Sequence, residues 1–280
     1  MKPRSLYISV LVLVASLTPN GQAEPVAVRY REGEMHGFVE LQTLAGKNIA
    51  YGESIQTVSG NRVTSRLVFR FLDGSLYDDT TEFSQGRTFR LIRDHVVQKG
   101  PAFKQPLDAT VDATRSEVTV RSHEKDGNEK SKTEQLQIPE DAANGLLFTI
   151  VKDVPEDGAG ATVSYVATTS KPRIVKIHIV PEGRDVFSVG TVHKQARHYV
   201  SKFEIGGISG VIAPLVGKQP PDINSWTVAG NAPSVVRIEA PLEADGPVWR
   251  IQTAQPPVFG NQRGPARRKV KGRMRNGGRS

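Results

Sequence analysis

The chain of 280 residues contains no cysteine. This absence excludes disulfide bonds, metal sites built on thiolates and cysteine nucleophiles, and it leaves no acceptor for an amino-terminal lipid anchor. The six histidines are scattered along the chain, and no helix carries a pair of them with metal-binding spacing. The fold must therefore be stabilised by packing alone, and no metal or other cofactor is expected.

Long apolar runs are also missing, with one exception at the amino end. There, Lys2 and Arg4 precede an apolar run over residues 6–17, and a small-residue cleavage site follows at residues 21–23. The run is shorter than the roughly 20 apolar residues that span a bilayer, so a secretory signal peptide fits better than a membrane anchor. We therefore predict a signal peptide over residues 1–23 and a periplasmic or secreted mature protein.

The net charge of +8 does not come from the body of the chain. Of the 37 basic residues, eight lie in residues 262–280, without any acid, and two lie in the signal peptide, which leaves 27 basic against 29 acidic residues elsewhere. The tail over residues 258–280 has almost no apolar content and is predicted to be disordered. Its charge should attract it to anionic membrane surfaces. Nucleic acid is not an expected partner of an exported protein.

Alternation of apolar and polar residues predicts a single β-rich domain over residues 24–257. The clearest strand covers residues 62–72, where alternate apolar side chains share one face and arginines occupy the other. A period of two with arginines outside predicts one buried and one solvated face. An Asp-Gly pair at residues 73–74 then predicts a tight hairpin turn. Similar short strands and turns continue to about residue 138, which is typical of an antiparallel meander.

One helix is predicted, because Pro139 occupies a favoured first-turn position and the acids that follow it suit the helix dipole. It should run to about Asp153 and cover one end or face of the sheet with its apolar residues. Strand patterns resume at Thr162 and end before residues 256–257, a pair of prolines. The predicted fold class is mainly β: a curved antiparallel sheet or half-open β-barrel with one internal or capping helix.

A glycine-rich segment over residues 206–222 resembles two functional motifs, and neither holds. Gly217 and Lys218 resemble the end of a phosphate-binding loop, but the motif's first glycine and final Ser or Thr are missing, and prolines follow where a helix should begin. Ser209 lacks the last glycine of a hydrolase nucleophile elbow. The segment is therefore interpreted as a strand relieved by glycines and a rigid turn, with two tryptophans as packing anchors. This structural motif consists of Gly206, Gly207, Gly210, Pro214, Gly217, Lys218, Pro220, Pro221, Asp222, Trp226 and Trp249.

Arg93 and His95 are the candidate ligand-binding residues. In the strand over residues 88–98 they share parity with Phe89 and Leu91, and therefore fall on a face that otherwise looks buried. A buried arginine and histidine must be paired, or must line a cavity that a polar ligand can reach. The alternative is a strand that crosses from the core to the rim, where both side chains reach solvent.

Five segments carry a resemblance to known proteins. They are R-L-I-R-D-H (90–95), Q-K-G-P-A-F (98–103), I-P-E-D-A-A-N-G-L (138–146), G-G-I-S-G-V-I-A-P-L-V-G-K-Q-P-P-D (206–222) and G-P-V-W-R-I (246–251). Together they resemble an uncharacterised family of exported bacterial proteins, a domain of unknown function similar to DUF3108, with a lipoprotein-carrier-like β architecture. The resemblance covers residues 28–253. It implies a curved antiparallel sheet or half-barrel with a helix in its concavity, and it implies no activity that could be assigned to particular residues.

The leading hypothesis is a non-enzymatic binding protein of the periplasm or envelope, which holds a lipid-like or other hydrophobic ligand on a concave apolar sheet. Two alternatives stay open at this point. One is a structural or interaction protein of the envelope without a small ligand. The other is a hydrolase that uses His95 with Arg93 or Asp94. The sequence indicates neither the identity of a ligand nor an oligomeric state.

Overall fold

The structure, a computed structural model, describes residues 25–123, 129–169, 171–189, 192–204, 220–231, 233–243 and 245–254. The predicted signal peptide and the tail that is predicted to be disordered lie outside these residues, and so does most of the glycine-rich segment. What the sequence predicts for those parts stays a prediction.

Fourteen strands form one antiparallel sheet in the described part of the chain. They are β1 (Met35–Thr43), β2 (Asn48–Ser59), β3 (Arg62–Phe71), β4 (Leu76–Gln85), β5 (Phe89–Lys99), β6 (Leu107–Asp112), β7 (Glu117–His123), β8 (Glu129–Gln135), β9 (Ala161–Ala167), β10 (Arg173–Val189), β11 (Val192–Glu204), β12 (Ile223–Val228), β13 (Ser234–Pro241) and β14 (Val248–Thr253). Strands β1–β8 pair in chain order, and so do β9–β14. The two series meet where β1 pairs with β14, with Leu41 opposite Ile251. The sheet is not closed, since β8 and β9 form its two edges, and the predicted fold class is confirmed.

Strand β3 shows why the chain adopts this architecture. Val63 and Phe69 are fully buried, whereas Arg66 and Arg70 on the other face are exposed. The alternation therefore places an apolar surface inside the sheet and the cations in solvent. Gly74 closes the hairpin to β4 with a φ of 88°, a left-handed conformation that glycine adopts without strain.

One short helical segment, residues 144–153, lies between β8 and β9 in the chain. It consists of a 3-10 turn (Asn144–Leu146), the helix α1 (Leu147–Ile150) and a second 3-10 turn (Val151–Asp153). It begins later than Pro139, because the residues before it pair with the edge of β9. The N–H of Ala143 donates to Ser164 O, and the N–H of Ser164 donates to Asp141 O. The helical segment contacts β4, β5, β9 and β12, so it lies inside the sheet.

The helical segment fills part of the interior of the sheet. Its apolar residues belong, with inward side chains of the strands, to one group that is almost wholly buried: Val63, Phe83, Phe89, Val111, Val118, Leu146, Ile150 and Val151. We call this group the packed core. Burial of each large apolar side chain stabilises the fold by about 1.5–3 kcal/mol. An aromatic group within the same buried cluster surrounds Trp249, whose ring meets those of Phe71 and Phe103 edge-on, with centroids 5.4 and 6.3 Å away.

Candidate functional site

A cavity of about 920 Å³ lies inside the sheet, beside the helical segment. Its wall is mostly apolar and includes residues from both series of strands, among them Leu67, Val96, Tyr165, Phe203 and Ile238. Pockets that bind small molecules usually measure about 300–1,000 Å³ and are lined in this way. The cavity is therefore the candidate site.

Hydrogen bonds hold the helical segment at the side of the cavity. The Asn144 side-chain amide donates to Val166 O at 3.0 Å, and Asn144 Oδ1 accepts the Val166 N–H at 3.1 Å. At the other end, Asp153 Oδ1 accepts the N–H groups of Arg29 at 2.6 Å and of Tyr30 at 2.8 Å. Movement of the helical segment into the cavity would break these bonds.

Two carboxylates lie together on the cavity wall. Asp79 of β4 and Asp94 of β5 are bridged by Thr81, whose hydroxyl lies 3.3 Å from Asp79 Oδ1 and 2.8 Å from Asp94 Oδ1. Tyr77 donates its hydroxyl to Asp79 Oδ2 at 3.0 Å, and the Gly145 N–H donates to Asp94. Within the described residues, neither carboxylate has a lysine or arginine partner. We call Asp79 and Asp94 the carboxylate pair.

Burial raises the pKa of both members of the carboxylate pair, that of Asp94 well above its usual range, and the Asp79 charge raises the Asp94 pKa further. The two groups are also hydrogen-bonded to each other. Carboxylates this close in an apolar wall cannot both ionise at low cost. Burial likewise raises the pKa of the Tyr77 and Tyr165 hydroxyls, and the charges of the pair add to this effect.

Gly145 is where the helical segment touches the carboxylate pair. A Cβ atom added there would lie 1.8 Å from Thr81 Oγ1 and 2.6 Å from Asp94 Oδ1. Both distances are far shorter than a van der Waals contact, so only glycine lets the backbone N–H approach Asp94. The pair therefore fixes the helical segment as well as lining the cavity.

The prediction that Arg93 and His95 face the interior of the sheet is wrong. A β-bulge at Ile92 separates them from Leu91, and the extra residue reverses which side chains point inward. Arg93 is exposed, and His95 Nε2 lies 3.0 Å from Asp108 Oδ1 on the outer face. Both side chains face away from the core because of this bulge, not because the strand crosses to the rim, and neither lines the cavity.

Asp94 takes the inward position instead. Nothing in the sequence marks Ile92 as a bulge, because a β-branched residue is typical of a regular strand. The inward position of Asp79 could have been predicted from the sequence, since Asp79 shares parity with the inward aromatic residues Tyr77 and Phe83. Because Asp94 faces inward and His95 faces outward, the hydrolase pairing of His95 with Asp94 lacks a common face, whereas Arg93 and His95 share the outer face.

The chain before β1 also lines the cavity, and it contributes a buried ion pair. Lys152 Nζ lies 2.6 Å from Glu32 Oε1, and the two side chains are only 13% and 9% exposed. Gln56 donates its side-chain amide to Glu32 Oε2 at 3.0 Å, and Gln85 Oε1 accepts the Glu32 N–H at 2.6 Å. Burial raises the pKa of the neighbouring Asp153 to about 6. Since Lys152 and Glu32 neutralise each other, this ion pair leaves no charge for a ligand to compensate.

The two tryptophans of the structural motif lie in different surroundings. Trp226 is on the outer face of β12, stacked on His198 with ring centroids 4.6 Å apart, and its Nε1 donates to Asp185 at 2.6 Å. Trp249 is buried in the aromatic group described above. Trp226 therefore joins strands at the surface, whereas Trp249 packs inside.

Three residues of the rigid turn are described. Pro220 lines the cavity, Pro221 is half-buried and Asp222 is exposed. The other members of the structural motif lie outside the described residues: Gly206, Gly207, Gly210, Pro214, Gly217 and Lys218.

A solved structure that is similar to this chain is the β-barrel-like protein of domain of unknown function DUF1849 from Brucella abortus. The TM-score is 0.46 and the sequence identity is 10%, over 81% of this chain and 98% of that chain. No family model and no curated protein matches the chain. Its designation, DUF1849, differs from DUF3108.

In the described ranges, no helix is long and apolar enough to cross a bilayer. No three histidine, aspartate or glutamate side chains converge there as metal ligands would. The candidate site combines an apolar wall, the carboxylate pair with its uncharged hydrogen-bond donors, and the Lys152–Glu32 ion pair.

Proposed function

We propose that this protein is an exported, non-enzymatic binding module that holds a lipid-like or other hydrophobic ligand in the cavity. The observation that carries the proposal is the mostly apolar cavity of about 920 Å³ inside one continuous sheet. Protein interiors are normally packed as densely as organic crystals, and a preformed, mostly apolar space of this size is typical of sites that bind a small molecule. A ligand with an apolar body fits such a wall.

The architecture around the cavity supports the same role. The hydrogen bonds at Asn144 and Asp153 tie both ends of the helical segment. The strands of the wall are paired with neighbours on both sides, apart from β9 at the sheet edge. Such a wall is preformed, which lowers the ordering cost of binding.

Dye binding and native mass spectrometry on the mature protein, residues 24–280, test the proposal. The protein should bind N-phenyl-1-naphthylamine saturably and should retain molecules with acyl chains after gentle purification. Leu67→Trp adds bulk to the cavity wall and should weaken dye binding about tenfold. Leu72→Trp, just after the same strand at a position that is 68% exposed, is the matched control. No occupancy by either method, or equal dye affinity in the two variants, would contradict the proposal.

An interaction role in the envelope is the second candidate, because two large apolar side chains are exposed on neighbouring strands. Phe38 of β1 is 63% exposed and Tyr51 of β2 is 51% exposed. Exposed apolar side chains that lie together are typical of contact surfaces. A defined protein partner that wild type captures and a Phe38→Ser variant does not, together with failure of the dye experiment, would favour this function.

The basic tail carries a separate part of the proposal, that it attracts the exported protein to anionic membrane surfaces. Each Lys or Arg near such a surface contributes about 1 kcal/mol at low salt. Deletion of residues 263–280 should abolish salt-sensitive binding to vesicles that contain an anionic lipid, and unchanged binding would contradict this part. Fractionation of cells tests the periplasmic location. Membership of a DUF3108-like family stays a prediction.

A further inference from the structure

The carboxylate pair has a property that its contact with the helical segment does not explain. Its donors are all uncharged: the hydroxyls of Thr81 and Tyr77 and the Gly145 N–H. The single Thr81 proton serves only one of the two carboxylates at a time. Ionisation of either carboxylate places a negative charge in an apolar wall without a cation beside it, and that arrangement is costly.

A second observation points to a ligand at the same place. Tyr165 of β9 lines the cavity close enough to the pair for the charges of Asp94 and Asp79 to act on its hydroxyl. Its ring meets that of Phe203 edge-on at 5.9 Å, but the hydroxyl makes no hydrogen bond within the part of the chain that the structure describes. Tyr165 is half-buried in this wall, and tyrosine hydroxyls that are removed from bulk water usually have a hydrogen-bond partner. The cavity is the side from which such a partner would come.

Other charged side chains around the cavity do not compensate the pair. Lys152 is already paired with Glu32. The rest are exposed or contact groups elsewhere: Arg31, Glu34, His36, Arg237 and Glu243. The described wall of the cavity therefore has one uncompensated negative site.

We propose that the carboxylate pair and Tyr165 form the polar subsite of the cavity, and that this subsite takes the ammonium group of an amphiphile with an apolar tail. The inference rests on the proposed function, because the tail would occupy the apolar part of the cavity. An ammonium group offers three N–H donors, which suit two carboxylates and a tyrosine oxygen. The pair would repel a carboxylate or phosphate head group, and a hydroxyl head group would gain only an uncharged hydrogen bond.

Displacement of the bound dye by three probes with the same dodecyl tail tests the inference. The probes are dodecylammonium, dodecanol and dodecanoate, each below its micelle concentration at neutral pH. Dodecylammonium should displace the dye at a concentration about tenfold lower than dodecanol, because a hydrogen bond to a charged group is stronger than a neutral one. Dodecanoate should be the weakest of the three.

Two variants of the pair identify the group that recognises the ammonium. Asp94→Asn and Asp79→Asn keep the size of the side chain and remove its charge. Each should reduce the preference for dodecylammonium over dodecanol about tenfold, where the preference is the ratio of the two displacing concentrations measured within the same variant. Asp108→Asn, at the outer-face partner of His95, is the matched control and should keep the preference. Circular dichroism checks that each variant folds. If one of the two Asn variants does not fold, the other still tests the subsite.

The possible outcomes separate this inference from the proposed function. Equal displacement by dodecylammonium and dodecanol, in wild-type protein that binds the dye, overturns the ammonium subsite and leaves the binding function standing. Retention of the preference in both Asn variants also overturns the subsite. Failure of the wild-type protein to bind the dye overturns both proposals.

Discussion

Strands β4 and β5 present two different kinds of side chain to the interior of the sheet along their length. Near the turn that joins them, β4 and β5 present Phe83, Phe89 and Leu91, which are buried. Farther from that turn, they present Asp79 and Asp94 to the cavity. The change from packed core to polar-lined cavity thus occurs within a few residues of each strand.

The difference between these regions follows from the helical segment. Leu146, Ile150 and Val151 fill the interior where they meet the strands, and the strands there carry large apolar side chains. Gly145 marks the boundary, since it meets Thr81 and Asp94 directly. A sheet of many strands encloses more space than its own side chains fill. The extent of one short helical segment therefore decides how much of that space becomes core and how much becomes cavity.

The largest expected loss of stability follows a substitution in the packed core. Phe83→Ala should lower the free energy of unfolding by about 3–5 kcal/mol, because it leaves a void among fully buried neighbours. Leu67→Ala removes a side chain that already borders the cavity, and should cost only about 1 kcal/mol. Urea unfolding followed by circular dichroism measures both. Similar losses at the two positions would show that the packed core and the cavity wall do not differ.

The next largest expected loss of stability is at Gly145, which marks the boundary between the packed core and the cavity. Gly145→Ala should destabilise the protein by about 3 kcal/mol, since its Cβ would collide with Thr81. Gly86→Ala, in the turn between β4 and β5, is the control, because no atom lies within 4 Å of an added Cβ there. Adding Thr81→Ala to Gly145→Ala should recover part of the loss. Unfolding of Gly145→Ala and Gly86→Ala at the same urea concentration would disprove the close contact between Gly145 and Thr81.

The smallest expected effect is a pH dependence at the end of the helical segment. Burial raises the pKa of Asp153 from 3.8 to about 6, so the folded protein keeps a proton that the unfolded chain releases between these values. This contribution to stability is complete below about pH 4 and is lost as the pH rises to about 6, a change of at most about 3 kcal/mol.

Asp153→Asn tests this sign, because it keeps the Oδ1 acceptor for Arg29 and Tyr30 and removes the titration. Urea unfolding of wild type and variant between pH 4 and pH 7 should show a fall in wild-type stability that the variant lacks. Parallel pH profiles would count against the raised pKa.

The fold class could be predicted because it depends on local alternation. In β3, side chains two residues apart must lie on the same face, so the pattern of residues 62–72 is sufficient to predict the strand and its buried side. The start of the helical segment could not be predicted in this way. The residues before Asn144 pair with Ser164 of β9, and a pairing with a later strand leaves no mark in the local pattern.

The candidate site could be predicted only in part, for the same reason. Asp79 follows the alternation of β4 and was accessible to inspection of the sequence. Asp94 was not, because one extra residue at Ile92 exchanges the two faces of β5. The contact between Asp94 and Gly145 joins distant parts of the chain, and it depends on how the helical segment enters the sheet.

The pairing of β1 with β14 joins the first and the last of the fourteen described strands. Val39 lies opposite Thr253, so β1 completes its hydrogen bonds only when a strand about 200 residues away along the chain reaches it. Closure of so long a loop comes late in folding, because its entropic cost precedes the contacts that reward it. Val39 and Ile251 both line the cavity. A chain in which β14 has not yet paired therefore has no complete cavity wall.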